Sequence, residues 1–357
     1  MTLVLGIESS CDETACALVE DGRILHASTI ASSAELQASF GGVVPELASR
    51  AHLEYFLPCL ETSLAKADKT LEEIDLFAAC FGPGLLGSLL VGLSAGKTLS
   101  LMTGKPFVGV HHLIGHIAVN YVDHPNLEPP FLAAVMSGGH CHLMLVKDYV
   151  TYELLAQTRD DAPGECFDKV AREAFLPYPG GPVLDRLSQT GDPHYYSFPQ
   201  ARFADSLDFS FSGLKTAALR EIHRAKFSLQ GHMDQDLFFD QVRIHDLAAS
   251  LTQSMADIII DRIQQALKAH PTIQTLVLGG GVSANSTIRR TCEAFCKDHS
   301  LAYFSPAISL CGDNAVMIAS QAYFQFTHLG PDDLSLDAYP NLPITYKKED
   351  LCFVPAL

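Results

Sequence analysis

His112 and His116 stand four residues apart in HHLIGH (111–116), one helical turn, so both imidazoles can project from one face toward a single metal ion. Satisfied core or surface histidines produce the same spacing. The motif lacks the Glu of HExxH, which removes the general base of a zinc peptidase and argues against peptidase chemistry. A third ligand must come from elsewhere, and CGDNA (311–315) offers Asp313 just ahead of an apolar helix. Near the start, IESSCDET (7–14) is a polar turn between two strands that presents hydroxyls and backbone N–H groups to an anion, with Asp12 and Glu13 at the same point. A polar hairpin tip reads the same way.

Glycine-rich turns supply a second set. In SGGH (137–140) two glycines permit close backbone approach to phosphate oxygens. In LGGGVSAN (278–285) three glycines between a buried strand and a helix start leave the backbone open to a base or ribose, with Asn285 able to hydrogen-bond there. A tight packing turn explains that segment equally well. DDAPGECFDKVARE (160–173), YPGGPVLDRL (178–187) and DFSFSGLKTA (208–217) are dense in polar groups for so apolar a chain. Asp168 at a helix start, Gly181 in a tight turn and Asp185 one turn into the next helix together suggest a nucleoside-binding wall.

The elements that must position these residues follow from periodicity. Residues 3–29 read as a three-stranded meander with a turn at Asp21-Gly22. Residues 43–67 place Leu47, Leu53, Phe56, Leu57, Leu60 and Leu64 at helical spacing, facing one way. A strand at 75–80, the GPGLLGS turn and a helix at 89–102 follow. Residues 131–146 repeat the opening strand-turn-strand plan, and a third strand meets the glycine turn at 275–287 after an amphipathic helix at 246–268. Two such elements in separate halves predict duplicated α/β lobes with a ligand in the cleft between them.

Composition narrows the class. The 357 residues suggest two lobes, and 48% hydrophobic against 18% charged residues describes a globular chain with ample core material. Ten cysteines without a CxxC pair form no disulfide framework or zinc ribbon, and no basic segment precedes the first apolar residues, so a reducing cytoplasm and no signal peptide are expected. Residues 77–96 lack charge, but five glycines and Pro83 favour strand, turn and helix over a membrane span. A net charge of −17, from 24 Lys+Arg against 41 Asp+Glu, is the reverse of a chain that grips nucleic acid unaided.

Together IESSCDET, GGVVPELASR, GPGLLGSLLVG, VHHLIGH, SGGH, DDAPGECFDK, YPGGP, DFSFSGLKT, GGGVSAN and CGDNA, in order over about residues 3–325, resemble the bacterial TsaD type of the tRNA threonylcarbamoyltransferase family. The resemblance implies the actin, Hsp70 and sugar-kinase superfold, with lobes at 1–112 plus 312–330 and at 113–311, and a C-terminal extension at 331–357 to which it assigns no role. It implies transfer of the threonylcarbamoyl group from threonylcarbamoyl-AMP to N6 of the adenosine 3′ of the anticodon in tRNAs reading ANN codons. It puts one divalent metal, iron or zinc, on His112, His116 and Asp313. The wall that binds the nucleotide, ATP, ADP or the donor, would hold Val135, Met136, Ser137, Gly138, Gly139, Asp168, Gly181, Asp185 and Asn285. Asp12 and Glu13 would lie close to the reaction centre, Asp12 as acid/base or positioning carboxylate. Expected partners are tRNA, a TsaB-like paralogue and a TsaE-like small ATPase, with no membrane. His111 beside His112 leaves open which of the two ligates, although the motif favours His112.

Two other classes compete. An ATP-dependent kinase or carbamoyltransferase could share the superfold; the metal triad weighs against a kinase, and the missing acylphosphatase and zinc-finger regions weigh against a hydrogenase-maturation carbamoyltransferase. An inactive scaffold is the third, opposed by intact Asp12, His112, His116 and Asp313.

Overall fold

The structure, a computed structural model, describes residues 1–38, 40, 42–203, 205–229 and 234–346. Its elements begin β1 (Leu3–Glu8), β2 (Glu13–Glu20), β3 (Ile24–Ser32), α1 (Ala34–Ala38), α2 (Pro45–Ala67), β4 (Leu76–Gly82), α3 (Leu86–Thr103), β5 (Phe107–His111) and α4 (His112–Asp123). They continue β6 (Phe131–Met136), β7 (Cys141–Val146), β8 (Tyr152–Gln157), α5 (Pro163–Glu173), α6 (Gly180–Ser188), α7 (Ser212–Ser228), α8 (Gln235–Val242) and α9 (Ile244–Ala269). The last are β9 (Thr275–Gly279), α10 (Ser286–Asp298), β10 (Ala302–Phe304), α11 (Ile308–Cys311) and α12 (Ala315–Leu329).

The chain divides into two units, Met1–Pro130 with Val146–Glu153 and 306–346, and Phe131–Leu145 with Leu154–Ser305. Residues 113–130, expected in the C-terminal lobe, group with the first unit, because α4 continues directly from β5 and packs on α12. Each unit holds a five-stranded sheet, ordered β3-β2-β1-β4-β5 in the first and β8-β7-β6-β9-β10 in the second. The same third-second-first-fourth-fifth order in both is the duplication that the repeated strand-turn-strand plan predicts.

In the first unit β1 runs antiparallel to β2 and parallel to β4, which in turn runs parallel to β5. Asp21 and Gly22 both have left-handed backbones (φ 50° and 68°), the requirement of a tight turn between twisted strands. Side chains alternate across β1. The Gly6 face meets α12 so closely that an added Cβ would lie 2.5 Å from Ala315 O, while Ile7 on the other face reaches the glycines of α3. That contact brings the segment before α12, with Asp313, to the carboxyl end of β1. In the second unit β6 lies parallel to β9, with Val135 opposite Gly279, so the glycine turns after both strands emerge at one sheet end.

Residues 331–346 belong to the first unit's core. Asp332 N–H donates to Phe107 O at 2.8 Å, its carboxylate accepts from Gly109 N–H at 2.9 Å, and Tyr339 N–H donates to Phe81 O at 2.8 Å. Ala338, Leu342 and Ile344 are buried. The remainder of the expected extension lies outside the described residues.

Three local readings change. The leucine stripe of α2 is only in part its core face: Leu60 is buried and Phe56 and Leu64 pack on the first unit's core, whereas Leu53 and Leu57 are 68% and 59% exposed and the buried face is completed by Ala48, Ala51, Cys59 and Ser63. Small residues allow the close approach in which Ser63 Oγ donates to Cys16 O at 2.8 Å. Asp168 lies in the second turn of α5, because Pro163 opens the helix earlier, where its missing N–H costs nothing. Gly181 falls within the first turn of α6 rather than in a preceding loop. The uncharged stretch resolves into β4, a turn and α3; α3 is long and apolar enough to cross a membrane by length and composition, yet it seats Ser88, Leu89, Gly92, Leu93 and Gly96 in the first unit's interior.

Candidate metal centre and nucleotide wall

Parallel strands β1, β4 and β5 end together, and their last residues carry the first cluster. Glu8 closes β1, Cys80 lies near the end of β4, and His111 closes β5 immediately before α4 begins at His112. His111 turns away: its Nδ1 accepts the Leu113 N–H at 3.2 Å as the helix cap, and its ring stacks on Tyr346. His112 and His116 project from the first turns of α4 with ring centroids 4.7 Å apart. Asp313 meets both, its Oδ1 lying 3.5 Å from His112 Nε2 and 3.2 Å from His116 Nε2. Asn314, which caps α12 by accepting the Met317 N–H at 3.0 Å and donates to Gly312 O at 2.8 Å, fixes the backbone that carries Asp313. The neighbour that joins the group is thus His112, the one the motif favours.

The donor set fits a transition metal. Two imidazoles and one carboxylate present ligand atoms within 4.8 Å of one another, the set used by catalytic zinc and by non-haem iron with open positions. His116 is fully buried, and neither of its ring nitrogens makes a hydrogen bond of acceptable geometry among the described residues, an orphaned polar group that a cation would satisfy. The surroundings are electronegative. Burial, then Asp313 and Asp12, pushes the Glu13 carboxyl up to about 9. Burial opposes a charged His112, but the Asp313 and Glu8 carboxylates outweigh it and hold the imidazole well above its ordinary value. Cys11, raised by burial and then by Asp12 and Asp313, stays a thiol. Asp12 and Glu13 therefore share one electrostatic neighbourhood with Asp313.

The second cluster lies wholly in the second unit and is closed by backbone contacts. Gly164 N–H donates to Ser137 O at 3.3 Å and Glu165 N–H to Gly138 O at 3.0 Å, seating the start of α5 on the SGGH turn. Asp168 accepts the Gly180 N–H at 2.7 Å, joining α5 to α6. Asp185 accepts the Ser286 hydroxyl at 2.8 Å and its N–H at 3.2 Å, joining α6 to α10. Gly280, with φ 83°, lies so close to β6 that a Cβ would fall 2.3 Å from Met136 O. Asn285 Oδ1 caps α10, while its buried Nδ2 has no partner among the described residues. Around this ring, Cβ atoms at Gly138, Gly139, Gly181 and Gly281 would meet nothing within 4 Å. Bare backbone facing open space beside an unused amide is suited to a flat base or a sugar. Val135 and Met136 supply core side chains and can offer such a ligand only backbone.

Sequence reasoning did not connect Glu8, Ser10 or Cys80 with His112, and did not single out Gly164 in the second cluster. A carboxylate closing an otherwise apolar strand was the available signal for Glu8; the others carry none that is local.

The family model described as TsaD, tRNA N6-adenosine threonylcarbamoyltransferase, matches residues 24–320. A protein of that name from Gloeothece citriformis is 46% identical over 354 residues, 97% of this chain and 98% of its own. One from Clostridium botulinum is 42% identical over 342 residues, 96% and 97% of the two chains. Among solved structures, full-length HypF in its phosphate- and nucleotide-bound form superposes with a TM-score of 0.61 at 13% identity, over 93% of this chain and 47% of that one. That likeness shows the fold, which is of the actin, Hsp70 and sugar-kinase type. With the family model spanning most of the chain and relatives matching along nearly their whole lengths, the chain belongs to the TsaD family of tRNA N6-adenosine threonylcarbamoyltransferases.

Proposed function

We propose that the chain transfers the threonylcarbamoyl group of threonylcarbamoyl-AMP to N6 of the adenosine 3′ of the anticodon in tRNAs reading ANN codons. The observation that carries this reading is the near full-length match to transferases of that name by a chain whose His112, His116 and Asp313 converge. In the reaction a bond forms between N6 and the carbamoyl carbon, the carbon–oxygen bond to phosphate breaks, AMP leaves, and N6 loses a proton. The amine is a weak nucleophile, so the site must orient it and take that proton. Asp12 is the carboxylate for this role, with Glu13 beside it as the second carboxyl of the same turn.

His112, His116 and Asp313 would hold iron or zinc, and such an ion supplies Lewis-acid polarisation of an acyl oxygen. Ser137, Gly138, Gly139, Asp168, Gly181, Asp185 and Asn285 would receive the adenosine portion of the donor, or ATP or ADP. The backbone amides of the SGGH turn suit the leaving phosphate. The reducing cytoplasm fits both a tRNA substrate and nine cysteines that are all free among the described residues.

A net charge of −17 leaves RNA binding to helpers, for which a TsaB-like paralogue and a TsaE-like ATPase are the candidates. Exposed Leu53 and Leu90 border a depression of about 300 Å³ between α2 and α3, an apolar face of the kind that protein partners cover. The direct test supplies the purified chain, these two partners, threonylcarbamoyl-AMP and a tRNA transcript, and reads N6-threonylcarbamoyladenosine in the digest. Product is expected with wild type and not with Asp12→Ala; no product from wild type would refute the assignment.

A further inference from the structure

One buried carboxylate of the first unit has no part in the proposed ligand set or in the reaction. Glu8 is 1% exposed at the end of β1. Its Oε1 accepts the Ser10 N–H at 2.6 Å, which fixes the carboxylate plane, and its Oε2 lies 3.4 Å from His112 Nδ1. Ser10 Oγ lies 3.1 Å from the same nitrogen. The opposite ring nitrogen, Nε2, is the one turned toward Asp313. An imidazole binds a cation through a lone pair, so its other nitrogen must carry the proton, and an acceptor at that nitrogen selects the tautomer and the ring angle. His116 has no such acceptor among the described residues. Of the two histidines, only His112 is held from behind.

We propose that Glu8 is a positioning residue: by accepting the Nδ1–H of His112 it holds the Nε2 lone pair toward Asp313 and His116. The Ser10 hydroxyl, held near the same nitrogen, is the auxiliary contact. This rests on the metal reading above and adds to it that the two histidines are unequal: His112 is braced from behind by Glu8 and Ser10, and His116 has no such brace among the described residues.

The test uses the full-length metal-free protein with Zn(II) as probe. Chelator competition gives the affinity of wild type, Glu8→Gln, Glu8→Ala and Ser10→Ala, and 15N spectra of histidine-labelled Zn(II)-loaded protein, assigned with His112→Ala, report which nitrogen of His112 carries the proton. Glu8→Ala is expected to weaken Zn(II) about 10- to 100-fold, in line with removal of such an outer partner, and to replace the single Nδ1–H form of His112 in the Zn(II)-loaded protein by a mixture of Nδ1–H and Nε2–H forms. Glu8→Gln, nearly isosteric and still an acceptor, is expected to keep the tautomer and lose several-fold in affinity, which keeps the proposal testable if Glu8→Ala does not fold. Wild-type affinity in both Glu8 variants, or a wild-type His112 lacking the Nδ1–H form, would overturn the role of Glu8. Failure of wild type itself to bind Zn(II) or Fe(II) would instead overturn the metal reading.

Discussion

His142 gives the second unit a built-in sensitivity to acid. It lies in β7, 8% exposed, with Nδ1 lacking any partner among the described residues, and burial lowers its pKa from 6.5 to about 4. In the unfolded chain the ring takes a proton near its ordinary value, whereas the folded chain refuses one until about pH 4. The unfolded state therefore binds more protons across that window, and stability must fall as pH drops through it and level off below. At about 1.4 kcal/mol for each tenfold difference in proton affinity, the whole window withdraws about 3 kcal/mol, most of it by pH 4.5. For a unit of this size that is roughly 6–12 °C in Tm. The assay compares melting curves of wild type and His142→Gln from pH 7.5 to 4.5. Carboxylates titrating in the same range are common to both proteins, so the difference between the two curves isolates His142. The gap between them should narrow or reverse on acidification by about 3 kcal/mol; parallel curves would show that the ring is protonated in the folded protein and would refute the reasoning.

Three further outcomes follow from local geometry. Gly280→Ala combines a positive φ with a backbone clash and should cost at least ~3 kcal/mol, whereas Gly281→Ala, facing open space, should melt within ~0.5 kcal/mol of wild type yet weaken nucleotide binding by calorimetry. Asp160 accepts the Phe211 and Ser212 N–H groups and the Ser210 and Ser212 hydroxyls, tying DDAPG to DFSFSG at the start of α7; Asp160→Ala should lose ~1–2 kcal/mol by urea denaturation. Asp313→Ala should lose bound metal by elemental analysis of the purified protein, and a chelator should lower the Tm of wild type but not of this variant.

The strand-turn-strand repeats were legible because alternation and turn residues are local, and β1 to β3 and β6 to β7 formed where they were expected. The pair His112 and His116 was legible for the same reason, one helical turn being a local spacing. Asp313 was a candidate from CGDNA and was tied to the pair by the family pattern, since some two hundred residues intervene and the packing of Gly6 on α12 brings it there. Glu8 was invisible as a partner of His112 because that contact spans 104 positions. The burial of α2 was legible in part, since Phe56, Leu60 and Leu64 join the core; periodicity finds an apolar stripe without saying what covers it, and the sheet also took the small residues and left Leu53 and Leu57 outward. Asp168 was displaced because Pro163-Gly164 looks like a loop, although proline is at home in a first helical turn.

The central claim is the tRNA modification, and depletion of the protein in its host tests it most directly. N6-threonylcarbamoyladenosine would be quantified by mass spectrometry in digested bulk tRNA, with rescue by wild type and by His112→Ala. The account predicts loss of the nucleoside, restored by wild type and not by His112→Ala. An unchanged level on depletion, with no second copy of the gene present, would contradict it.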